Sequence, residues 1–302
     1  MVAAPTIRPA ARRRPQPAAA PPRRSGSRTL TVLTTLMLLY TMLPLAWLVV
    51  SATKTQQGLL GSFGLWFDHD FALFDNIGRV FTYQDGIYLR WLGNTVFYVV
   101  AGAGGATLLS ALAGYGLAKF AFPGRRAVFA LILGAVAVPP TALAVPTFLL
   151  FAKMGITDTV WAVIIPSLMI PFSLYLMWVF ATEAVPDEVL ESARVDGAGE
   201  FRIFFSLAVP LLSPGLVTAL LFNVVVTWNN LFLPLIMLKD RNLYPITLGI
   251  YSWNQQSLTV GGDVVFNLVI TGSLLAIVPL IAAFLLLQRY WQSGLAAGSV
   301  KQ

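Results

Sequence analysis

The stretch VVFNLVITGSLLAIVPLIAAFLLLQ, residues 264–288, decides the fold of this chain. It contains no Asp, Glu, Lys, Arg or His. An α-helix needs about 20 residues to cross a hydrocarbon core about 30 Å thick, and this stretch is longer than that. A segment of this length and polarity predicts a transmembrane helix.

Five further runs of the chain share this composition. None contains a charged residue or a histidine, and they comprise residues 29–53, 91–118, 127–152, 159–182 and 203–238. The last of them is longer than one crossing requires, so its span is expected near residues 210–235. The first run is too long for the apolar core of a secretory signal and is interpreted as a retained helix. The sequence therefore predicts an all-α polytopic membrane protein with six transmembrane helices.

The overall composition supports a membrane environment. Of the 302 residues, 57% are hydrophobic and only 11% are charged, whereas soluble domains average about 25% charged residues. Cysteine is absent, which excludes disulfides and thiolate metal sites. The single histidine, His69, lies in a polar stretch and is interpreted as a solvated loop residue. We therefore expect no catalytic residue, no metal site and no cofactor bound by this chain.

The basic residues predict the orientation. Seven arginines lie within residues 1–28, among Ala, Pro and Ser, which predicts a disordered tail rather than a nucleic-acid site. With the N-terminus inside, 14 of the 20 Lys and Arg residues lie in cytoplasmic segments. The positive-inside rule then places both termini in the cytoplasm. The predicted domains are this tail, a six-helix transmembrane domain at 29–290 and a cytoplasmic C-terminal tail at 291–302.

The spans lack the groups that several transport mechanisms need. They contain no Asp, Glu, Lys, Arg or His, which argues against a proton relay or a voltage sensor. The sequence also lacks a GxxxxGK[ST] phosphate-binding loop, so the energy for active transport has to enter through a partner. A self-contained secondary carrier or channel for small polar solutes remains the alternative, and a membrane enzyme is the weakest interpretation.

Polar residues within or beside the spans are candidates for a solute path. Most of them are expected to form interhelical hydrogen bonds, but an aromatic ring beside amides also suits a sugar. The candidate path residues are Asn94, Asn223, Trp228, Asn229 and Asn230.

The segment 183–210, EAVPDEVLESARVDGAGEFRIFFSLAVP, is the most informative inside loop. Pro186 followed by two acids predicts a helix start, and Gly197 permits a reversal of the chain. A second short helix is expected at about 199–207. The loop is therefore predicted to form a helix–turn–helix with small residues at its bend, where a partner can approach closely.

This loop resembles the EAA motif of ATP-binding-cassette importer permeases, roughly E-A-A-x3-G-x9-I-x-L-P. Residues 191–193, Gly197 and residues 207–210 match that spacing, with Ser192, Leu207 and Val209 as mild departures. The string ESARVDGA at 191–198 is similar to the carbohydrate-uptake branch of the maltose-permease type. Further resemblances are GYGLAKF at 114–120, WNNLFLPL at 228–235, where Asn230 replaces an acid, YPITLG at 244–249, and the tail GLAAGSVK at 294–301.

The resemblance implies a transport subunit rather than an enzyme, located in the cytoplasmic membrane. It further implies a second permease subunit, two copies of a nucleotide-binding ATPase that carries the ATP and Mg, and an extracytoplasmic sugar-binding protein. The ATPase-coupling residues that it implies are Glu191, Ser192, Ala193, Asp196, Gly197, Ala198 and Gly199, within a coupling loop at about 183–209.

The segments 53–90 and 239–263 are predicted to lie outside and to receive the binding protein. They carry aromatic residues that are expected to be exposed, namely Phe63, Trp66, Phe67, Tyr83, Tyr88, Tyr251 and Trp253. An aromatic belt at the membrane interface explains them equally well.

Overall fold

The computed structural model describes residues 28–298, with side chains described through residue 288. Nearly all of the predicted basic tail, and the last four residues, lie outside this range. The described residues form helices and no strand, so the predicted all-α class is confirmed. The helices are α1 (Arg28–Ala52), α2 (Gln56–Gly61), α3 (Leu73–Tyr98), α4 (Gly104–Lys119), α5 (Arg125–Val136), α6 (Pro140–Met154), α7 (Trp161–Ser167), α8 (Pro171–Ala184), α9 (Asp187–Val195), α10 (Glu200–Ile203), α11 (Val209–Leu211), α12 (Ser213–Trp228), α13 (Phe232–Met237), α14 (Ile246–Leu258) and α15 (Phe266–Gly298).

Four helical stretches are long and apolar enough to cross a membrane. They are Arg28–Ala52, Leu73–Lys119, Trp161–Ala184 and Phe266–Gln288. Two bent pairs also pass this test: α5 with α6, at 105°, and Glu200–Leu211 with α12, at 81°. The described chain therefore has four candidate spans, or up to six if each bent pair counts as one.

Proline explains two of the interruptions. Its ring clashes with the carbonyl four residues earlier and it cannot donate a backbone hydrogen bond. Pro140 therefore ends α5 at Val136 and opens α6. In the predicted span at 210–235, the continuous helix is shorter than expected: α12 ends at Trp228, and a separate helix α13 begins at Phe232 with Pro234 in its first turn.

The chain through Leu45 is one unit, and its described residues are the exposed, apolar first part of α1. In the unit that begins at Ala46, α4 packs along α8, and α12 packs against α4, α8 and α15. Buried residues of α4, α8 and α12 and of the stretch 185–212, which includes α9 and α10, form what we call the coupling core: Ala111, Tyr115, Met177, Ala181, Val185, Leu190, Ala193, Ile203, Phe204, Ala208, Leu212 and Ala219.

A second buried cluster joins α3, α14 and α15, and it corrects the predicted aromatic surface. Tyr88 is 1% exposed and Trp253 is 0% exposed, with ring centroids 6.0 Å apart. The expectation that these two rings are exposed is wrong, because α14 packs on α3 and buries them between the helices. Phe63, Trp66 and Phe67 are exposed in the described chain.

Candidate functional site

Helix α9 forms where the sequence provides favourable ends. Pro186 precedes it in extended conformation, Asp187 and Glu188 occupy its first turn, and Arg194 lies in its last turn. Acids at the N-terminus and a base at the C-terminus both favour the helix dipole. Its buried face consists of Leu190 and Ala193, so the opposite face is free for a partner.

The turn after α9 is a Schellman motif. The N–H of Gly197 donates to the carbonyl of Arg194, and the N–H of Ala198 donates to the carbonyl of Ala193, both at 3.0 Å. Gly197 has φ +79°, a left-handed conformation that costs glycine little. The chain then enters α10 at Glu200.

Two ion pairs brace this segment. Both guanidinium nitrogens Nε and Nη2 of Arg194 donate to the carboxylate of Glu200, at 2.7 and 3.3 Å, across the turn. Lys119 Nζ, at the end of α4, donates to Asp187 Oδ1 at 2.7 Å. The Arg194–Glu200 pair is solvent-exposed and contributes little to global stability, whereas in the other pair an exposed Asp187 meets a Lys119 side chain that is 7% exposed. Their consequence is local, since they fix α9 relative to α10 and to α4.

The same ion pairs shift the carboxyl groups. The hydrogen bond from Arg194 lowers the pKa of Glu200, and the hydrogen bond from Lys119 lowers the pKa of Asp187. A carboxyl whose folded pKa is depressed stabilises the fold above its ordinary pKa, and this contribution is lost as the pH falls through the lowered value. Both ion pairs are therefore fully formed at neutral pH.

The predicted ATPase-coupling residues lie together on this segment. Glu191, Ser192, Asp196, Gly197 and Gly199 are exposed, Ala198 is half-buried, and Ala193 is buried. Sequence reasoning missed two of their neighbours, Val195 and Phe201, which are 88% and 77% exposed. Two large apolar side chains this exposed beside an open glycine turn mark a surface suited to another protein. The signal in the sequence was their position on either side of Gly197.

The underside of the segment is anchored in the coupling core. Leu190 and Ile203 are almost fully buried there, and Phe204 packs against Tyr115 of α4 in a tilted arrangement, with ring centroids 5.2 Å apart. Because the core also contains Met177 and Ala181 of α8, the buried face of α9 shares one packed cluster with both α4 and α8. The α9–α10 segment is thus exposed on one side and packed against α4 and α8 on the other.

The candidate path residues do not form one cluster of contacts. Asn94 donates both amide hydrogens to backbone carbonyls, those of Asn242 at 2.7 Å and Tyr244 at 3.0 Å. Asn229 is exposed and donates to Val225 within its own helix at 2.9 Å. The side-chain oxygen of Asn230 accepts from the N–H of Leu233 at 3.4 Å, and Trp228 is 6% exposed. A role for these residues in a solute path stays a prediction.

Asn223 is the exception, because it joins three helices. Its amide nitrogen lies 3.0 Å from the hydroxyls of Thr107 on α4 and Ser173 on α8, and its side chain is fully buried. Its Oδ1 and the hydroxyl of Thr227, one turn along α12, have no hydrogen-bond partner in the described chain. Thr107 and Ser173 could not be found from the sequence, since nothing local distinguishes them from other small polar residues in spans.

We expect the substitution Asn223→Leu to lower the thermal unfolding midpoint of the purified protein by roughly 3–6 °C, because it removes two buried hydrogen bonds. The measurement is a fluorescence melt in detergent. Asn229→Ala is the matched control, since its amide is exposed and bonds only to its own helix; its midpoint should stay within about 1 °C. An unchanged midpoint with altered solute affinity for Asn223→Leu would instead assign Asn223 to the path.

Within residues 28–298, no three His, Cys, Asp or Glu side chains are close enough together to hold a metal ion.

Comparison with known proteins identifies the architecture. Residues 106–296 match the family described as binding-protein-dependent transport system inner membrane component. The chain belongs to this family. The family prediction from the loop motif is thereby confirmed, and the chain is a transport subunit of the inner membrane rather than an enzyme.

Individual relatives agree with this family. The arabinooligosaccharides transport system permease protein AraQ of Halalkalibacterium halodurans is 31% identical over 85% of this chain and 90% of its own. The lactose transport system permease protein LacG of Rhizobium radiobacter is 32% identical, over 85% and 90%. A bacterial ABC transporter crystal structure, involved in alginate import, matches with a TM-score of 0.74 at 20% identity, over 87% of this chain and 95% of that chain. The last match concerns the fold alone.

Proposed function

We propose that this chain forms half of the translocation pathway of an ATP-driven sugar importer and is coupled to a separate ATPase through its loop at 183–209. Family membership supports the transport role. The relatives named for arabinooligosaccharides and lactose support a sugar as the solute. The observation that carries the coupling role is the α9–α10 segment, which exposes Val195, Gly197 and Phe201 while its underside is buried in the coupling core.

The proposed topology has six spans with both termini in the cytoplasm. Helices α5 and α6 together serve as one span in this arrangement, and α12 is the span that follows the α9–α10 segment. The bias of Lys and Arg supports the orientation, because it places the basic end of α4 and the α9–α10 segment inside. Residues 29–290 then form the permease domain, between cytoplasmic tails at 1–28 and 291–302.

Coupling proceeds through the braced segment. Residues Glu191 to Gly199 dock in a cleft of the ATPase, and nucleotide-driven closure of the ATPases moves them as a unit. The Arg194–Glu200 and Lys119–Asp187 pairs hold α9 against α10 and α4. A displacement of α9 therefore displaces α4, and with it α8, which packs along α4. ATP thereby biases a two-state equilibrium between inward-open and outward-open bundles.

The proposed assembly contains a second permease subunit, two copies of a nucleotide-binding ATPase and an extracytoplasmic sugar-binding protein. This chain binds no cofactor of its own in the proposal, and ATP and Mg belong to the ATPase. A family described as binding-protein-dependent supports a separate binding protein.

The test is affinity purification of this chain in mild detergent, followed by mass spectrometry of what co-purifies and by uptake in proteoliposomes. We expect a P-loop ATPase and a second permease, and uptake that requires both ATP and the binding protein. The double substitution Val195→Ser and Phe201→Ser should release the ATPase but retain the second permease. Uptake by the purified chain alone, without ATP, would establish a self-contained carrier and refute the proposal.

A further inference from the structure

A cavity of about 250 Å³ lies where α4 ends and α5 begins, on the flank of α8. Leu117, Arg125, Arg126, Phe129 and Trp178 line it. Arg125 closes the junction, because its Nη2 donates to the carbonyl of Ala118 at 3.2 Å. The cavity therefore has a fixed basic edge and is separate from the coupling surface formed by α9 and α10.

The two arginines carry charge that this part of the chain does not neutralise. Among residues 28–288, the ion pairs are Lys119–Asp187 and Arg194–Glu200, and neither includes Arg125 or Arg126. Arg126 is exposed and makes no hydrogen bond to another described residue. Two adjacent guanidinium groups provide several donors for a ligand that carries negative charge and oxygen acceptors.

The remaining walls are aromatic and amphipathic. Phe129 packs on Trp178 with ring centroids 4.3 Å apart, and Tyr175 stands beside Trp178 at 6.0 Å. The indole N–H of Trp178 has no acceptor among the described residues, so it is available to a ligand. Tryptophan and tyrosine with such free polar ends are typical of the level of lipid headgroups.

The surface that leads away from the cavity along α5 is apolar. Val128, about one turn beyond Arg125, is 42% exposed, and Leu131, about one turn beyond Val128, is 74% exposed. A ligand with a charged head in the cavity and hydrocarbon chains on α5 would cover both features. A free inorganic anion would satisfy the arginines but leave this apolar face uncovered.

We infer that this cavity binds the phosphate headgroup of an anionic phospholipid from the cytoplasmic leaflet. Arg125 and Arg126 hold the phosphate, the Trp178 N–H donates to the headgroup, and the acyl chains lie along Val128 and Leu131. The leaflet assignment rests on the proposed topology, whereas the site itself does not depend on the ATPase or on the sugar. A bound lipid here would fix the junction of α4 and α5 against α8.

The test is a titration of the purified full chain with dioleoyl phosphatidylglycerol, followed by native mass spectrometry. Replacement of both arginines, Arg125→Gln with Arg126→Gln, should raise the dissociation constant of the first bound lipid by about thirty-fold. Arg126→Gln alone should raise it by about five-fold, and this variant removes no hydrogen bond seen within the described chain. Dioleoyl phosphatidylcholine should bind all variants equally weakly.

The matched control is the double substitution Arg79→Gln with Arg90→Gln. It removes the same two charges from exposed arginines elsewhere on the chain, and the dissociation constant should stay within about two-fold. Equal affinity of phosphatidylglycerol for the Arg126→Gln variant and the wild type would overturn the site. Displacement of the lipid by millimolar inorganic phosphate, with a phosphate adduct on the wild type only, would overturn the lipid assignment in favour of a free-anion site.

Discussion

The substitution Gly197→Asp should reduce sugar uptake by more than about ten-fold while the amount of protein in the membrane stays unchanged. A Cβ at Gly197 would meet no atom within 4 Å in this chain, so the new side chain does not clash with the permease itself. The backbone at φ +79° disfavours a residue other than glycine by about 1 kcal/mol, which the fold can absorb. The larger effect comes from a carboxylate placed at the centre of the proposed contact with the ATPase, where close approach is required. The measurement is uptake of labelled sugar by proteoliposomes that contain the complete transporter, with the permease quantified by immunoblot.

Gly155→Asp is the control for the backbone cost. Gly155 caps α6 with φ +69°, and a Cβ there also meets nothing within 4 Å. The two substitutions therefore introduce the same side chain at the same kind of backbone position, but only one lies on the coupling segment. Uptake by the Gly155→Asp variant should remain within about two-fold of the wild type. If both variants lose uptake equally, the loss reflects backbone strain, and the docking role of Gly197 is refuted.

The parts of the fold that could be predicted from the sequence are those set by local rules. Uncharged runs of more than about 20 residues predict helices that suit a bilayer, and α15 begins at Phe266 within the run that starts at residue 264. Prolines at 139 and 140 mark the bend between α5 and α6 for a reason contained in the chain itself. The end of α12 at Trp228 was harder to predict, because residues 231–238, beyond Asn229 and Asn230, are as apolar as those of a continuous span.

Contacts between residues far apart in the chain could not be predicted from the sequence. Nothing near Asn223 in the sequence indicates that its partners are Thr107 and Ser173, which are far away along the chain. Tyr88 and Trp253 lie in segments between apolar runs, where an interfacial ring and a buried ring have the same local composition. Their burial depends on how α14 packs against α3, which a single sequence does not reveal.

In the candidate site, too, the features set by local sequence could be predicted and those set by tertiary contacts could not. Pro186, Gly197 and the acids at the start of α9 act on their own helix and turn, so the sequence could indicate where the loop reverses. The brace between Arg194 and Glu200 could not be predicted, because it requires the turn geometry that brings the two side chains together. The unneutralised Arg125 and Arg126 were visible only as positive charge for the orientation rule, and the cavity beside them needed the position of Trp178 on α8.

The substitution Gly114→Ala should have the largest effect on the bundle itself. Gly114 of α4 faces α8, and a Cβ there would lie 2.7 Å from the backbone nitrogen of Trp178 and 2.8 Å from the backbone carbon of Met177. Backbone atoms cannot move aside as a flexible side chain can, so the two helices must separate. Overpacking of this kind costs about 1–3 kcal/mol or more, which predicts a fall of several degrees in the unfolding midpoint.

Gly116→Ala provides the contrast on the same helix. A Cβ at Gly116 would meet nothing within 4 Å, and alanine is a better helix former than glycine by up to about 1 kcal/mol. Its midpoint should therefore equal or exceed that of the wild type, while that of Gly114→Ala falls. Because Met177 also belongs to the coupling core, separation of α4 from α8 should lower ATP-dependent uptake in the Gly114→Ala variant beyond what its reduced amount explains. Equal midpoints for the two variants would show that the close approach of α4 and α8 at Gly114 does not control stability, and the proposed route from α9 into the bundle would lose its support.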